Sequence, residues 1–540
     1  MTEAKKTQTC KILALTGRSA EKIVKNNVPS NVVVKVLPID VAAFINDDLI
    51  LKHVTKIEAQ KFDLIIVPGF VQGDLSELSS QLGIPVVKGP RYASDLKLTL
   101  VELDPLELSA KHSADKFLKT KKFAETRQIL NDGFTVPINE KLHEFELGNK
   151  KQFPIGISRP PLVMAEIIDA PKFSVVEIRK KAIFYLENGA NVIDIGAIAT
   201  NPQPTKIEEI VLALQGLKSK YNFIISIDTL NTEEIMAAVK ADVDLILSID
   251  HGNVDELLGK IPKDIGIVFL PTNVKEGYMP KTPEDRVKSL ITLRDILLEA
   301  GYKKLFADPI IEMPIYPGFA SSLESYIQYR NIDANTPMMT CVGNVTEFIE
   351  ADPIGINALF GCLAVELGIK LLLMTDFSVK CRGGTKEIVK ARDLAFAAKK
   401  RKAPPKGHGI NILMAKSRTD FELEIPIDEN LEIIDLKSEQ RVLYSMDYEF
   451  DPKGSFTIWT DFHKQKIFVS HLDLSTNKPD ILFISSEARL IFSEITKRGL
   501  ISKIDHAFYL GRELERAENC LYLGKTYIQN EQAFKDSEYY

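Results

Sequence analysis

Eight short apolar runs between residues 153 and 375 constrain the fold of this chain more than any other feature. They lie near residues 153–157, 191–196, 223–228, 243–249, 265–270, 304–308, 338–342 and 370–375. Each run has the length of a buried strand, and each gap can hold a helix. Eight strand–helix units over about 250 residues are what a closed (β/α)8 barrel requires, so we predict such a TIM barrel for residues 151–404.

Helix start signals occupy the gaps between the runs. A capping box places Ser, Thr or Asn at the residue before a helix and an acidic residue three positions later. Four such pairs are present: Ser174 with Glu177, Thr205 with Glu208, Asn231 with Glu234, and Thr282 with Asp285. These pairs predict where four of the barrel helices begin.

The segments on either side of the barrel have different patterns. In residues 1–150, apolar runs at 11–15, 32–37 and 64–67 alternate with helical stretches, which predicts a Rossmann-like α/β domain followed by a polar, helical connector. After Pro404-Pro405, residues 405–540 resume with expected strands at 410–415, 455–460 and 465–471. We therefore predict an α/β protein of three domains, the last of them α+β.

Composition excludes several classes of protein. Hydrophobic residues make up 45% and charged residues 26% of the 540, as in folded globular proteins. The net charge of -6 is small and the cations are scattered, so we expect no nucleic-acid partner. No apolar run reaches the roughly 18 residues of a spanning helix, and five dispersed cysteines form no CxxC pair, so we predict a cytoplasmic protein without membrane contact or a zinc site.

Polar side chains end several of the apolar runs. They occur in Ile193-Asp194-Ile195-Gly196, Ser226-Ile227-Asp228, Ser248-Ile249-Asp250, Ala307-Asp308-Pro309 and Gly343-Asn344. In a (β/α)8 barrel the strand ends carry the active site. The order and spacing of these motifs resemble the pterin-binding barrels, which include dihydropteroate synthases and methyltetrahydrofolate:corrinoid methyltransferases. The whole chain resembles the archaeal dihydropteroate synthase-related proteins.

The resemblance implies roles for individual residues. Asp308 would hold the pterin through a bidentate pair of hydrogen bonds, Asp228 would face the other edge of its ring system, and Asn344 would contact it as in the methyltransferases. Ser248 or Asp250 stands where the family usually has Asn, and Thr200 remains from the family's second loop. Asp228, Asp308 and Asn344 are thereby the expected catalytic residues. The alternative is that these aspartates only cap the helices that follow them.

A phosphate site is expected from three cations. Lys380 and Arg382 precede Gly383-Gly384 and a predicted helix, whose N-terminus would favour phosphate or pyrophosphate, and Arg159 would assist them. The family's Gly-rich first loop with its metal-binding Asn is missing, so no metal ligand is assigned and a role for Mg2+ stays open.

Three functions follow from the resemblance. In the first, a pterin-6-methyl pyrophosphate reacts with an arylamine, as in folate or tetrahydromethanopterin biosynthesis. In the second, a methyl group leaves a tetrahydropterin for a corrinoid protein or a thiol, which Asn344 favours. The third is a pterin-binding protein without catalysis. Family members commonly form homodimers, which is carried over as an expectation.

Overall fold

The computed structural model describes residues 10–149, 152–416 and 451–534. The predicted α/β architecture is confirmed: a closed eight-stranded barrel lies between an N-terminal α/β sheet and a C-terminal sheet with two helices. No described helix combines the length and the hydropathy that crossing a bilayer demands.

The N-terminal unit is a four-stranded parallel sheet with strand order β2-β1-β3-β4. Its strands are β1 (Ile12–Thr16), β2 (Val32–Val36), β3 (Leu64–Val67) and β4 (Val86–Lys88). The first three were predicted; the fourth has only three residues, which is too short for a periodicity signal.

The barrel strands are β7 (Leu162–Ile167), β8 (Val192–Gly196), β9 (Ile224–Asp228), β10 (Leu245–Ile249), β11 (Gly266–Phe269), β12 (Leu305–Ala307), β13 (Met338–Cys341) and β14 (Ile369–Met374). All pair in parallel, and β14 pairs with β7 to close the ring. Seven strands match the predicted runs. The prediction for the first was wrong, because barrel strand one begins at Leu162 and not at Phe153.

The apolar run at 153–157 instead belongs to a hairpin of β5 (Phe145–Leu147) and β6 (Phe153–Ile155) that precedes the barrel. Leu147, Phe153 and Ile155 pack against the apolar interior of the barrel. A Cβ at Gly266 would lie 2.5 Å from Leu147 Cδ1, so a larger residue there would displace the leucine side chain. The hairpin thus closes the amino-terminal end of the barrel, and the boundary expected at residue 150 falls inside it.

The C-terminal unit has an antiparallel sheet of β15 (Ser455–Asp461), β16 (Lys466–Asp473) and β17 (Lys478–Ser485). The strand expected at 410–415 is not formed, since residues 410–413 are irregular and 414–416 form a bend.

The helices are α1 (Glu21–Asn26), α2 (Asp47–His53), α3 (Lys56–Ala59), α4 (Ser76–Leu82), α5 (Leu96–Glu102), α6 (Asp115–Thr135), α7 (Val175–Glu187), α8 (Pro204–Gln215), α9 (Thr232–Lys240), α10 (Val254–Leu257), α11 (Pro283–Glu299), α12 (Phe319–Ile332), α13 (Gly343–Thr346), α14 (Ile354–Leu367), α15 (Gly384–Arg401), α16 (Ala488–Lys497) and α17 (Ile504–Leu523). Ser174, Asn231 and Thr282 cap α7, α9 and α11 as predicted. The prediction for Thr205 was wrong, because Gln203 precedes α8 and Pro204 begins it.

Candidate functional site

The barrel interior is divided into an apolar part and an acidic part. Side chains such as Met164, Val192, Leu245, Val268 and Phe306 fill the part next to the hairpin. Strand residues two apart share a face, so the interior face of β7 continues from Met164 to Glu166, and that of β8 from Val192 to Asp194. The interior therefore becomes acidic toward the carboxyl ends of the strands.

Three carboxyl groups meet at this end of the barrel. Glu166, Asp194 and Asp228 each place an oxygen within 4.8 Å of the others. Asp194 is fully buried, whereas Glu166 and Asp228 are partly exposed at the mouth. A side chain at Gly196 would collide with Oε1 of Glu166, so the glycine makes room for this group. We call these three residues the acidic cluster.

Most oxygens of the acidic cluster have no hydrogen-bond donor among the described residues. Ser226 Oγ donates to Oδ1 of Asp194, but Oδ2 of Asp194 is buried without a partner. No described Lys or Arg side chain pairs with any of the three carboxyl groups. Buried acceptors of this kind are costly in a folded protein unless a ligand supplies the missing donors.

Burial and mutual repulsion make these carboxyl groups weak acids. Burial raises the pKa of Glu166 to about 8, with further contributions from the charges of Asp228 and Asp169. Burial and Glu166 raise the pKa of Asp194 well above its ordinary value, and burial, Asp194 and Asp308 do so for Asp228. At neutral pH the cluster therefore retains protons and can both donate and accept hydrogen bonds.

Asp308 follows β12 and faces the same mouth. Its Oδ1 accepts hydrogen bonds from the Tyr326 hydroxyl at 2.9 Å and from the Ile310 amide at 2.8 Å. Burial raises its pKa to about 6, while those two donors and the charge of Arg286 oppose the shift. The donors fix the orientation of the carboxyl group, and its Oδ2 has no donor among the described residues.

Asp250 and Ser248 have structural contacts. Both oxygens of Asp250 are occupied: Oδ1 accepts from the Gly252 amide, and Oδ2 accepts from Thr272 Oγ1 and the Val274 amide. The Ser248 carbonyl accepts from the Asn253 side chain. Asp250 thus ties the loops after β10 and β11 together, which is a structural role but not the helix capping considered for such residues, since the N-cap of α10 is Asn253.

Asn344 and Thr200 lie on segments that follow barrel strands. Asn344 lies on the short helix α13 after β13, and its Nδ2 donates to the Ile311 carbonyl at 2.9 Å. Thr200 is exposed in the loop after β8. Asn344 is therefore held against the segment after Asp308, whereas the structure gives Thr200 no contact with the acidic cluster.

The expected phosphate residues do not converge. Lys380 Nζ donates to the Ile349 carbonyl, and Arg382 lies beside the ring of Phe462 in the C-terminal unit. The N-terminus of α15 is filled by Asp376, which accepts from the amide and hydroxyl of Thr385. The helix opening that was expected to attract phosphate is thus capped by a carboxylate of the chain itself.

Arg159 lies at the opposite end of the barrel, and its expected role in binding phosphate was wrong. Its guanidinium contacts Oε2 of Glu144 at 2.5 Å and donates to the carbonyls of Val136 and Pro137. Both members of the ion pair are buried. Arg159 precedes the true first strand, so it stabilises the amino-terminal end instead of the strand ends where ligands bind.

Two acidic residues of the site were absent from the predicted set. Asp194 belongs to the strand-end motif Ile193-Asp194-Ile195-Gly196 and ends an apolar run as Asp228 does, but the family resemblance implied no role for it. Glu166 was overlooked because strand one was placed nine residues too early. The run Leu162 to Ile168 contains a single charged residue, and that glutamate was the available signal.

The Glu166→Gln substitution should stabilise the unliganded protein, and more so at alkaline pH. Folded Glu166 keeps its proton up to pH about 8, whereas in the unfolded chain it loses the proton near its ordinary pKa, so unfolding releases a proton between these values and stability falls as pH rises through them. Gln removes this loss. We expect the gain in unfolding free energy to be at least about 1.4 kcal/mol larger at pH 8 than at pH 5, by urea denaturation. An equal gain at both pH values would contradict the raised pKa.

Comparison with known proteins agrees with this geometry. A model described as "Pterin binding enzyme" matches residues 167–311, which include Asp194, Asp228 and Asp308. A model named PterinBD-DUF4346 matches residues 450–530, and a family of unknown function (DUF6513) matches residues 10–91. The pterin-binding match thus covers the part of the barrel that supplies most of the acidic residues.

Solved structures similar to the chain include two dihydropteroate synthases. That of Yersinia pestis with a sulfonamide drug has 16% identity and a TM-score of 0.37, over 47% of this chain and 99% of the synthase. That of Xanthomonas albilineans with 7,8-dihydropteroate has 18% identity and a TM-score of 0.34, over 45% and 94%.

An uncharacterized protein of Methanocaldococcus jannaschii is 34% identical over 538 residues, which cover 96% of this chain and 98% of the relative. This similarity extends through the barrel and both flanking units. The chain belongs to the family of dihydropteroate synthase-related, pterin-binding barrel proteins that includes this archaeal relative.

Proposed function

We propose that the protein is a transferase that holds a pterin in the barrel mouth, between Asp308 and the acidic cluster. The observation that carries the proposal is the set of carboxyl oxygens at the mouth without donors among the described residues, of which Asp194 Oδ2 is fully buried. A 2-amino-4-oxopteridine presents a ring N–H and an amino group side by side, and one carboxylate can accept from both. Its other ring nitrogens can pair with protonated carboxyl groups. Such a ligand would satisfy acceptors that the described protein leaves open.

A dihydropteroate synthase-like reaction is the first candidate. The arylamine nitrogen would attack the methylene carbon of a pterin-6-methyl pyrophosphate, the C–O bond would break, pyrophosphate would leave with the electron pair, and the nitrogen would lose one proton to solvent. This reaction depends on positioning and on stabilising the leaving charge. Asp308 and Asp228 would position the pterin, in a pathway to folate or tetrahydromethanopterin and, as expected from the sequence, in the cytoplasm.

Charge stabilisation is the demanding part of this reaction. No described Lys or Arg pairs with the acidic cluster, and Arg286 is committed to Glu312 at 2.8 Å and to the Ile310 carbonyl. The acidic cluster would fit Mg2+ if the ion displaced the protons that these groups retain at neutral pH, since their oxygens lie within 4.8 Å of one another and Asp194 Oδ2 has no partner. Mg2+ bound there would supply positive charge for the pyrophosphate.

A methyltransferase is the second candidate, and Glu166 favours it. When a methyl group leaves a tetrahydropterin for a corrinoid or a thiolate, the electron pair of the N–CH3 bond stays on the pterin nitrogen, which then takes up a proton. Glu166 keeps its proton at neutral pH and lies in the mouth, so it could supply that proton. Asn344 would hydrogen-bond the same pterin.

Calorimetric titration distinguishes these candidates. A 6-hydroxymethyl-pterin pyrophosphate is titrated with and without Mg2+, and a methyl-tetrahydropterin is titrated in parallel. Mg2+-dependent binding of the pyrophosphate supports the synthase, and preference for the methyl-tetrahydropterin supports the methyltransferase. If neither ligand binds, the proposal that the mouth holds a pterin is wrong.

The Asp308→Ala substitution should weaken pterin binding by about 1.5 to 3 kcal/mol, because it removes a charge-assisted hydrogen-bond acceptor. Titration of both proteins with the same pterin measures the difference. The exposed Asp264 at the amino-terminal end provides the control variant Asp264→Ala, which should bind normally. Unchanged affinity in Asp308→Ala would show that the pterin does not use this carboxylate.

A further inference from the structure

A cleft between the barrel and the C-terminal unit is separate from the mouth. It has a volume of about 450 Å³, which lies in the range of small-molecule sites. The barrel side comes from α7 and the first turns of α15; the other side comes from the turn between β15 and β16 and from the end of α17. The lining residues that matter here are Phe184, Arg382, Lys386, Lys390, Phe462 and Tyr522.

Three cations line one side of this cleft. Arg382 lies just before α15, and Lys386 and Lys390 follow at intervals of four residues, which places the two lysines on one face of the helix. None of the three forms an ion pair with a carboxylate in the described ranges. Like charges at this spacing destabilise a helix, so this basic stripe has a cost that no described partner offsets.

The surroundings of the stripe confirm its positive character. Burial and then the charge of Lys386 lower the pKa of Lys390. Burial, Lys181 and Arg382 likewise lower the pKa of His463. Two described acidic residues line the cleft: Glu387 accepts a hydrogen bond from Asn357 and has a pKa raised by burial to about 7, so it is only about half ionised at neutral pH, and Glu187 accepts from the Tyr221 hydroxyl.

Aromatic side chains form the rest of the wall. The rings of Phe184 and Phe462 lie edge to face with centroids 6.1 Å apart, and the guanidinium carbon of Arg382 lies 6.0 Å from the Phe462 ring centre. Tyr522 is 66% exposed on the opposite side. A ligand in this cleft would therefore meet cations on one side and apolar ring surface on the other.

We propose that this cleft binds a small organic phosphate, with its phosphate on the basic stripe and its apolar part against Phe462 and Tyr522. Arg and Lys are the usual phosphate partners in proteins, and Arg can bind phosphate through two parallel hydrogen bonds. The site does not depend on the N-terminus of α15, which Asp376 fills. It also lies outside the barrel, so its failure would leave the proposed pterin site untouched.

The full chain is titrated with phenyl phosphate as the probe. Binding is measured by isothermal titration calorimetry and by NMR of the probe. Inorganic phosphate and benzyl alcohol are titrated separately, since each carries half of the proposed chemistry. We expect phenyl phosphate to bind more tightly than either. The triple variant Arg382→Gln, Lys386→Gln, Lys390→Gln should lower its affinity at least tenfold.

The control variant Lys240→Gln, Lys260→Gln, Lys288→Gln removes the same charge from exposed positions on α9, on the turn after α10 and on α11, and should bind as the wild type does. Circular dichroism confirms folding, and the single variant Lys386→Glu repeats the test if the triple variant unfolds. Equal losses in both triple variants would overturn the proposal by showing non-specific attraction.

Discussion

Replacing Asp194 and Asp228 together by Asn should weaken pterin binding strongly and make the unliganded protein harder to unfold. Each carboxyl group lost leaves a hydrogen-bonding group of the ligand unsatisfied, which costs about 1 to 3 kcal/mol, so the pair should cost at least about 2 kcal/mol, or about 30-fold in affinity. Asn keeps an acceptor for Ser226 and cannot ionise, so it removes the cost of burying an ionisable carboxyl group and the charge repulsion, which together raise both pKa values. Titration with a pterin and urea denaturation measure the two effects.

A loss of pterin affinity together with a gain in unfolding free energy distinguishes a ligand site from a structural one. If the aspartates existed to stabilise the barrel, the double variant would lose stability, as is expected for Asp250, whose oxygens already accept three hydrogen bonds. The Asp250→Asn variant is therefore the matched comparison. A double variant that binds pterin normally would refute the assignment of the acidic cluster to the ligand.

The sequence predicted the barrel well, because seven of the eight apolar runs are its strands and runs of that length and spacing leave few other arrangements. Asp228 and Asp308 were placed correctly at strand ends, since each directly follows a buried run. Glu166 could not be assigned in the same way. The hairpin run Phe153 to Ile157 is as apolar as a barrel strand, and only its antiparallel pairing with Phe145–Leu147, a contact distant from the barrel motifs, shows that it lies outside the ring.

The phosphate expectations failed for a related reason. A sequence with a cation next to Gly-Gly at the start of a helix is the same whether the N-terminus of that helix is open to a ligand or capped by a side chain. Asp376 lies nine residues before Thr385, and only the folded loop shows that its carboxylate fills the helix N-terminus. Likewise, Asp250 resembles Asp228 in sequence, but the loop contacts that saturate its oxygens come from Thr272 and Val274, more than 20 residues away.

Arg159→Met should destabilise the barrel by about 3 to 5 kcal/mol without changing the pterin affinity of the folded protein. The substitution leaves Glu144 as a buried charge without its partner and removes the donors to the Val136 and Pro137 carbonyls. Urea denaturation gives the loss as a lower midpoint, and titration below that midpoint gives the affinity.

The double variant Arg159→Met, Glu144→Leu is the informative control. A buried ion pair replaced by apolar side chains of similar size often costs little, so the second substitution should restore most of the lost stability. Ser158 also donates to Glu144, so its hydroxyl loses one partner in the double variant and the recovery should be incomplete. If Arg159→Met instead kept full stability and lost affinity for a pterin pyrophosphate, Arg159 would bind the ligand. The ligand would then have to extend to the amino-terminal end of the barrel.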